Sequence, residues 1–144
     1  VLFRSGGLAA GTLINESGAA AAIGTAMASM NLTGGFFTIL IIVTVTLLMS
    51  DMTSNTATAA VAMPIVISIV QGIGLNPIPY IYIATIGVNI SYMLPTSIRA
   101  IPVGYGLEPK FMLKKGVGIT VMVILLMSLA GWVMVEHWPA FSTI

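Results

Sequence analysis

Between two apolar stretches stands Ser50-Asp51-Met52-Thr53-Ser54-Asn55-Thr56-Ala57-Thr58, a run of hydroxyls with one amide and one carboxylate. Such groups are costly in a bilayer, about 2.5–3.5 kcal/mol for an acid at a helix centre, so they line a bundle interior or an aqueous cavity instead of facing lipid. Residues 50–58 are therefore the candidate binding site. Ser54, Asn55 and Thr56 sit where a helix break would free backbone carbonyls on one side and backbone amides on the other. Carbonyls with neutral side-chain oxygens suit Na⁺, whereas free amides at a helix start with side-chain donors suit a carboxylate. The chemistry this favours is joint binding of an anion and sodium. The plainer alternative is a Ser/Thr or Asx turn capping a helix that begins near Ala57, which leaves unexplained why a cap should lie at membrane depth.

Composition supports that depth. Of the 144 residues, 58% are hydrophobic and 6% charged, with a mean hydropathy of +1.08, against about 25% charged in a soluble domain. A net charge of +1 gives no reason to expect nucleic acid or another acidic polymer as a partner. Without cysteine there is no disulfide, thiol catalysis or cysteine-ligated metal, and His137, the one histidine, cannot build a His-based metal site. No pair of side chains has catalytic spacing, and an enzyme is not expected. Glu136 and His137 beside Trp138 read as interfacial groups, and the methionines as gap-filling or lipid-facing positions. Val1 is expected to be a cut through a longer chain, with these residues toward its C-terminal end.

A polar tip at depth needs elements that carry it there. Residues 36–49 are apolar and rise about 21 Å as a helix, short of the roughly 30 Å hydrocarbon core. Residues 57–73 rise about 25 Å, with Pro64 able to bend them. Two short helices meeting at a polar tip predict a re-entrant helical hairpin over 36–74, whose tip must be buried in protein or face water. A single kinked helix over the same stretch would be about 57 Å long, far beyond a bilayer. The turn Gly74-Leu75-Asn76-Pro77-Ile78-Pro79 leads to a second apolar segment at 78–94. Pro95, Pro102, Gly104 and Gly106 then interrupt it, so 75–115 reads as a discontinuous transmembrane helix with an unwound loop at 95–106. Paired broken helices point to a transporter site. Residues 117–135, about 28 Å as a helix, make one plain span within a C-terminal region 116–144, with Trp132 and Trp138 as interfacial aromatics. The Gly- and Ala-rich residues 1–35 are expected to form an interfacial helical arm belonging to a preceding segment. Lys110, Lys114 and Lys115 favour the cytoplasmic side, which puts the C-terminus outside and brings the hairpin in from the non-cytoplasmic face.

Thr53-Ser54-Asn55-Thr56-Ala57, then Met63-Pro64-Ile65, Tyr92-Met93-Leu94-Pro95 and Gly104-Tyr105-Gly106, resembles the C-terminal half of the divalent anion/sodium symporter family, the sodium-coupled carriers of dicarboxylates, citrate and sulfate. The resemblance covers nearly the whole chain, since Gly6-Gly7-Leu8 with Ser17-Gly18 is similar to the segment before that family's outer hairpin. It implies an all-α integral membrane fold that is half of an inverted-repeat transporter, with a Ser-Asn-Thr motif at the tip of each of two hairpins, of which this chain holds one. It further implies that the N-terminal half of the same carrier is the missing partner, that the full-length protein is a homodimer, and that it resides in a bacterial or archaeal inner membrane. By resemblance, Ser54 and Asn55 bind Na⁺, and Asn55 and Thr56 contact a carboxylate of a dianion such as succinate or malate, or else citrate or sulfate. In the later loop the family commonly has Thr-Pro-Pro-Asn before Ala-Ile, where this chain has Pro95-Thr96-Ser97-Ile98-Arg99 before Ala100-Ile101. Thr96 is the match for the family's threonine and is assigned to both sodium and substrate. Arg99 departs from the pattern; it is read either as a bidentate clamp on a substrate oxyanion or as a structural group pairing with Asp51 or reaching water. No cofactor is implied beyond the coupling ion.

Two other classes compete. Val103-Gly104-Tyr105-Gly106 matches the core of a potassium-channel filter, although Pro102 stands where a filter needs Thr. An accessory membrane subunit without a site of its own is the other. Saturable uptake dependent on sodium and dicarboxylate separates a carrier from both.

Overall fold

A computed structural model describes residues 33–90, 92–94 and 100–142, together with scattered positions between 9 and 29. The described chain forms six helices: α1 (Phe36–Met52), α2 (Asn55–Gly72), α3 (Pro77–Asn89), α4 (Ala100–Gly104), α5 (Pro109–His137) and α6 (Pro139–Ser142). No strand occurs among the described residues. Most of the expected arm at 1–35 lies outside the described residues, and its described positions up to Ser29 are exposed.

The first two helices fold back on each other. At one end the Thr53 and Thr58 hydroxyls are 2.6 Å apart. At the other, Leu75, just past α2, presses on Gly34, just before α1, so closely that a Cβ there would lie 2.0 Å from Leu75 Cδ1. Gly34 also has φ +78°, a left-handed conformation that a side chain would strain. Its carbonyl accepts from the Tyr80 hydroxyl at 2.6 Å, pinning the base of the hairpin to α3. The Gly-Asn-Pro turn works as its residues dictate: Gly74 has φ +77°, Asn76 Oδ1 caps α3 by accepting from the Ile78 amide at 3.1 Å, and Pro77 occupies the first helical position, where no amide is needed.

α3 lies alongside α1 in the same direction, with Tyr80 near Gly34 and Val88 near Ser50. Gly87 permits the contact, because a Cβ there would meet Thr46 Oγ1 at 2.7 Å. α5 runs the opposite way across both, with Gly131 against Ile83 and Ile39 and Gly116 against the backbone of Tyr92 and Met93. The core gathers Ile39, Ile42 and Val43 from α1, Val66 and Val70 from α2, and Tyr80, Ile83 and Ala84 from α3. α1 is thus the central element. α5, by contrast, leaves Val121, Met122, Leu125, Leu126 and Leu129 exposed, as a lipid-facing helix would.

Several boundaries differ from those read in the sequence. The break narrows to Thr53 and Ser54, because Ser50 and Asp51 continue α1 while Asn55 opens α2. The arms are consequently longer than expected, about 25 and 27 Å. α2 and α5 are each long and apolar enough to cross a membrane, with α1 just shorter, so length alone no longer separates a re-entrant arm from a span. α2 passes through Pro64 without interruption. The second apolar segment ends as a helix at Asn89, not at residue 94. Within the loop expected to be unwound at 95–106, residues 100–104 form the short helix α4; residues 95–99 lie outside the described residues. α5 starts at Pro109, ahead of the expected 116, because proline suits a first helical turn even where three lysines follow unfavourably for the helix dipole. Of the two tryptophans near the end of α5, Trp132 packs on the core and Trp138 is exposed.

Candidate functional site

The break between α1 and α2 is closed by its own hydroxyls. Thr53 Oγ1 donates to the Met49 carbonyl at 3.0 Å, beside the Thr53 amide that reaches the same oxygen at 3.1 Å. Ser54 is the N-cap of α2, its Oγ accepting from the Ala57 amide at 3.2 Å. The capping role weighed from the sequence is therefore present in Ser54, two residues earlier than a helix start at Ala57 would place it. Thr58 is buried beneath the tip, whereas Met52, Thr53, Asn55 and Thr56 are exposed on this chain.

Ser50, one turn back along α1 and fully buried, brings the tip to α3. Its hydroxyl lies against the Val88 carbonyl and 3.0 Å from Asn55 Oδ1. Which atom of the Asn55 amide faces Ser50 follows from the bonds beyond it. Asn89 Nδ2 donates to the Thr85 carbonyl at 2.8 Å, which turns Asn89 Oδ1 toward the hairpin. Asn55 Nδ2 donates to that oxygen at 3.3 Å. Asn55 Oδ1 is thereby left facing Ser50. Three oxygens, Ser50 Oγ, Asn55 Oδ1 and the Val88 carbonyl, thus converge with a single hydroxyl hydrogen among them. One hydrogen is shared between both acceptors, and neutral oxygens of this kind are the type that a small hard cation binds.

Asp51, next to Ser50 and buried, accepts from the Met93 amide through Oδ1 at 3.2 Å. The carboxylate thus reaches the chain just beyond α3. Among the described residues no group of three or more His, Cys, Asp or Glu could hold a transition metal.

Of the residues assigned from the sequence, Asn55 joins the oxygen cluster, Ser54 caps α2, and Thr56 sits exposed on the first turn of α2. Thr96 and Arg99 lie outside the described residues. Sequence reasoning missed Val88 and Asn89, and gave Ser50 no role of its own within the candidate run 50–58. Ser50 stood inside the polar run, but nothing in the spacing linked it to a carbonyl 38 residues on. In the filter-like run Val103-Gly104-Tyr105-Gly106, Val103 and Gly104 belong to helix α4 and the Val103 carbonyl accepts from the Gly106 amide.

No protein-family model matches the chain. It is 30% identical over 136 residues, 92% of its length, to an uncharacterized transporter of Haemophilus influenzae, of which it covers 30%. It is 33% identical over 108 residues, 74% of its length, to the sodium-dependent dicarboxylate transporter SdcS of Staphylococcus saprophyticus, covering 21% of that protein. To an uncharacterized transporter of Synechocystis sp. it is 29% identical over 108 residues, covering 18% of it. The chain thus spans less than a third of the length of these curated relatives. They are transporters and not enzymes, which places the chain among relatives of membrane transporters and supports the non-enzyme reading.

Proposed function

We propose that the chain is part of a sodium-coupled carrier of a divalent anion, of the divalent anion/sodium symporter type, with α1 and α2 entering the membrane as a re-entrant hairpin. The observation that carries the reading is the convergence of Ser50 Oγ, Asn55 Oδ1 and the Val88 carbonyl beneath a helix break. Sodium binds there, with Ser54 nearby at the break. The anion, a dicarboxylate such as succinate or malate in the first instance, sits at the start of α2, where Asn55 and Thr56 offer side-chain donors beside the positive end of the helix. Similarity to the staphylococcal sodium-dependent dicarboxylate transporter supports the choice of ion and solute. Thr96 and Arg99 enter from the sequence alone, as a further oxygen for sodium and a clamp for the anion.

Ion and anion are then linked through one loop. Sodium drawn to the oxygen cluster fixes the Asn55 amide and with it the first turn of α2, so anion affinity rises with sodium, and sodium affinity rises with the anion by the same factor. The remaining expectations belong to the same proposal: a second hairpin supplied by an N-terminal half, a homodimer at full length, a bacterial or archaeal inner membrane, and a C-terminus outside. Asn55→Ala in the full-length carrier is the test. Expression is retained and sodium-dependent dicarboxylate uptake is lost; normal uptake by that variant refutes the site.

A further inference from the structure

Two broken stretches, the hairpin tip and the chain beyond α3, meet at one carboxylate. Asp51 immediately follows Ser50 of the oxygen cluster, is 1% exposed, and accepts from the Met93 amide at 3.2 Å. From the opposite side the same backbone rests on α5, where a Cβ on Gly116 would lie 2.4 Å from the Tyr92 carbonyl oxygen and 2.9 Å from Met93 Cα. Residues 92–93 are therefore held between a side-chain acceptor on the hairpin and a bare stretch of helix backbone, with no slack for a methyl group on Gly116. One side chain thus joins the residue after Ser50 to the Met93 backbone.

We infer that Asp51 is a positioning residue that couples the cation-binding tip to segment 92–94, so that filling the oxygen cluster sets the conformation of the chain beyond α3. The inference rests on the sodium reading above. Asp51 itself touches neither ion nor anion in this role; the isosteric variant Asp51→Asn keeps an oxygen for the Met93 amide and removes the charge, whereas Asp51→Ala removes the acceptor.

The chain contains no cysteine, so reporter thiols can be placed freely. In the full-length carrier, otherwise freed of cysteine, Met52→Cys reports on the tip and Tyr92→Cys on the segment, both positions being exposed on this chain. Maleimide labelling is timed in sodium chloride and in choline chloride. Sodium changes the labelling rate at both positions in the parent. In the Asp51→Ala background the sodium response persists at position 52 and disappears at 92, and the KM for dicarboxylate rises roughly tenfold or more while kcat changes little. Asp51→Asn restores the response at 92. Gly116→Ala, which pushes the segment from the other side without touching the hairpin, abolishes it. A response at 52 but not 92 in the parent overturns the coupling and leaves the sodium reading standing. So does a response at 92 that survives Asp51→Ala, or an Asp51→Asn variant indistinguishable from Asp51→Ala. If neither position responds to sodium in the parent, the sodium reading falls and the coupling with it.

Discussion

Ser50→Ala is the perturbation that best separates a cation site from a helix-packing contact. The hydroxyl is 0% exposed and stands against two acceptors, so its removal leaves the Val88 carbonyl and Asn55 Oδ1 without that donor. An acceptor left without its partner costs about 1–3 kcal/mol of stability. If the hydroxyl serves only to dock α1 on α3, that loss is the whole effect. If it is one of three oxygens around sodium, the ion also loses a charge-assisted contact of about 1.5–3 kcal/mol, and half-saturation by sodium rises roughly 10- to 150-fold. The measurement is dicarboxylate uptake into vesicles across a sodium titration, beside thermal unfolding in detergent. Ser50→Thr is the companion variant: it retains the oxygen but forces a methyl into a filled site, at about 1–3 kcal/mol. It should therefore unfold at lower temperature while keeping the sodium dependence of the parent. A Ser50→Ala carrier that is less stable yet shows unchanged half-saturation by sodium refutes the oxygen-cluster reasoning.

Two further outcomes test the frame that holds the site. Tyr80→Phe deprives the buried Gly34 carbonyl of its donor and should cost about 1–3 kcal/mol by thermal unfolding; because it acts at the base of the hairpin, half-saturation by sodium should stay the same. Gly87→Ala drives a methyl to within 2.7 Å of Thr46 Oγ1 and should destabilise by about 1–3 kcal/mol, a loss that Thr46→Ala should largely recover in a double-mutant cycle on the same assay.

The parts of this fold legible in the sequence are those set by local rules. The break at Ser54 followed from small polar residues between apolar runs, and the turn before α3 from Gly74, Asn76 and Pro77, each of which does what its backbone chemistry requires. The width of the break was not legible. Ser50 and Asp51 have weak helix preferences of their own, and packing against α3 and the 92–94 segment holds them helical. Nor was the pairing of Asn55 with Asn89 readable, since a contact 34 residues apart leaves no periodicity in either segment. Trp132 also packs on the core, a contact that its place near a helix end did not foretell.

The bonds that orient the tip run to Val88 and Asn89 of α3, in addition to those between the two hairpin arms. The apex is consequently moored to a neighbour, and a swing of the apex alone would tear out those tethers. In the carrier proposed above, loosening the mooring at Asn89 frees the Asn55 amide that faces Ser50, so the linkage between sodium and anion should weaken there first.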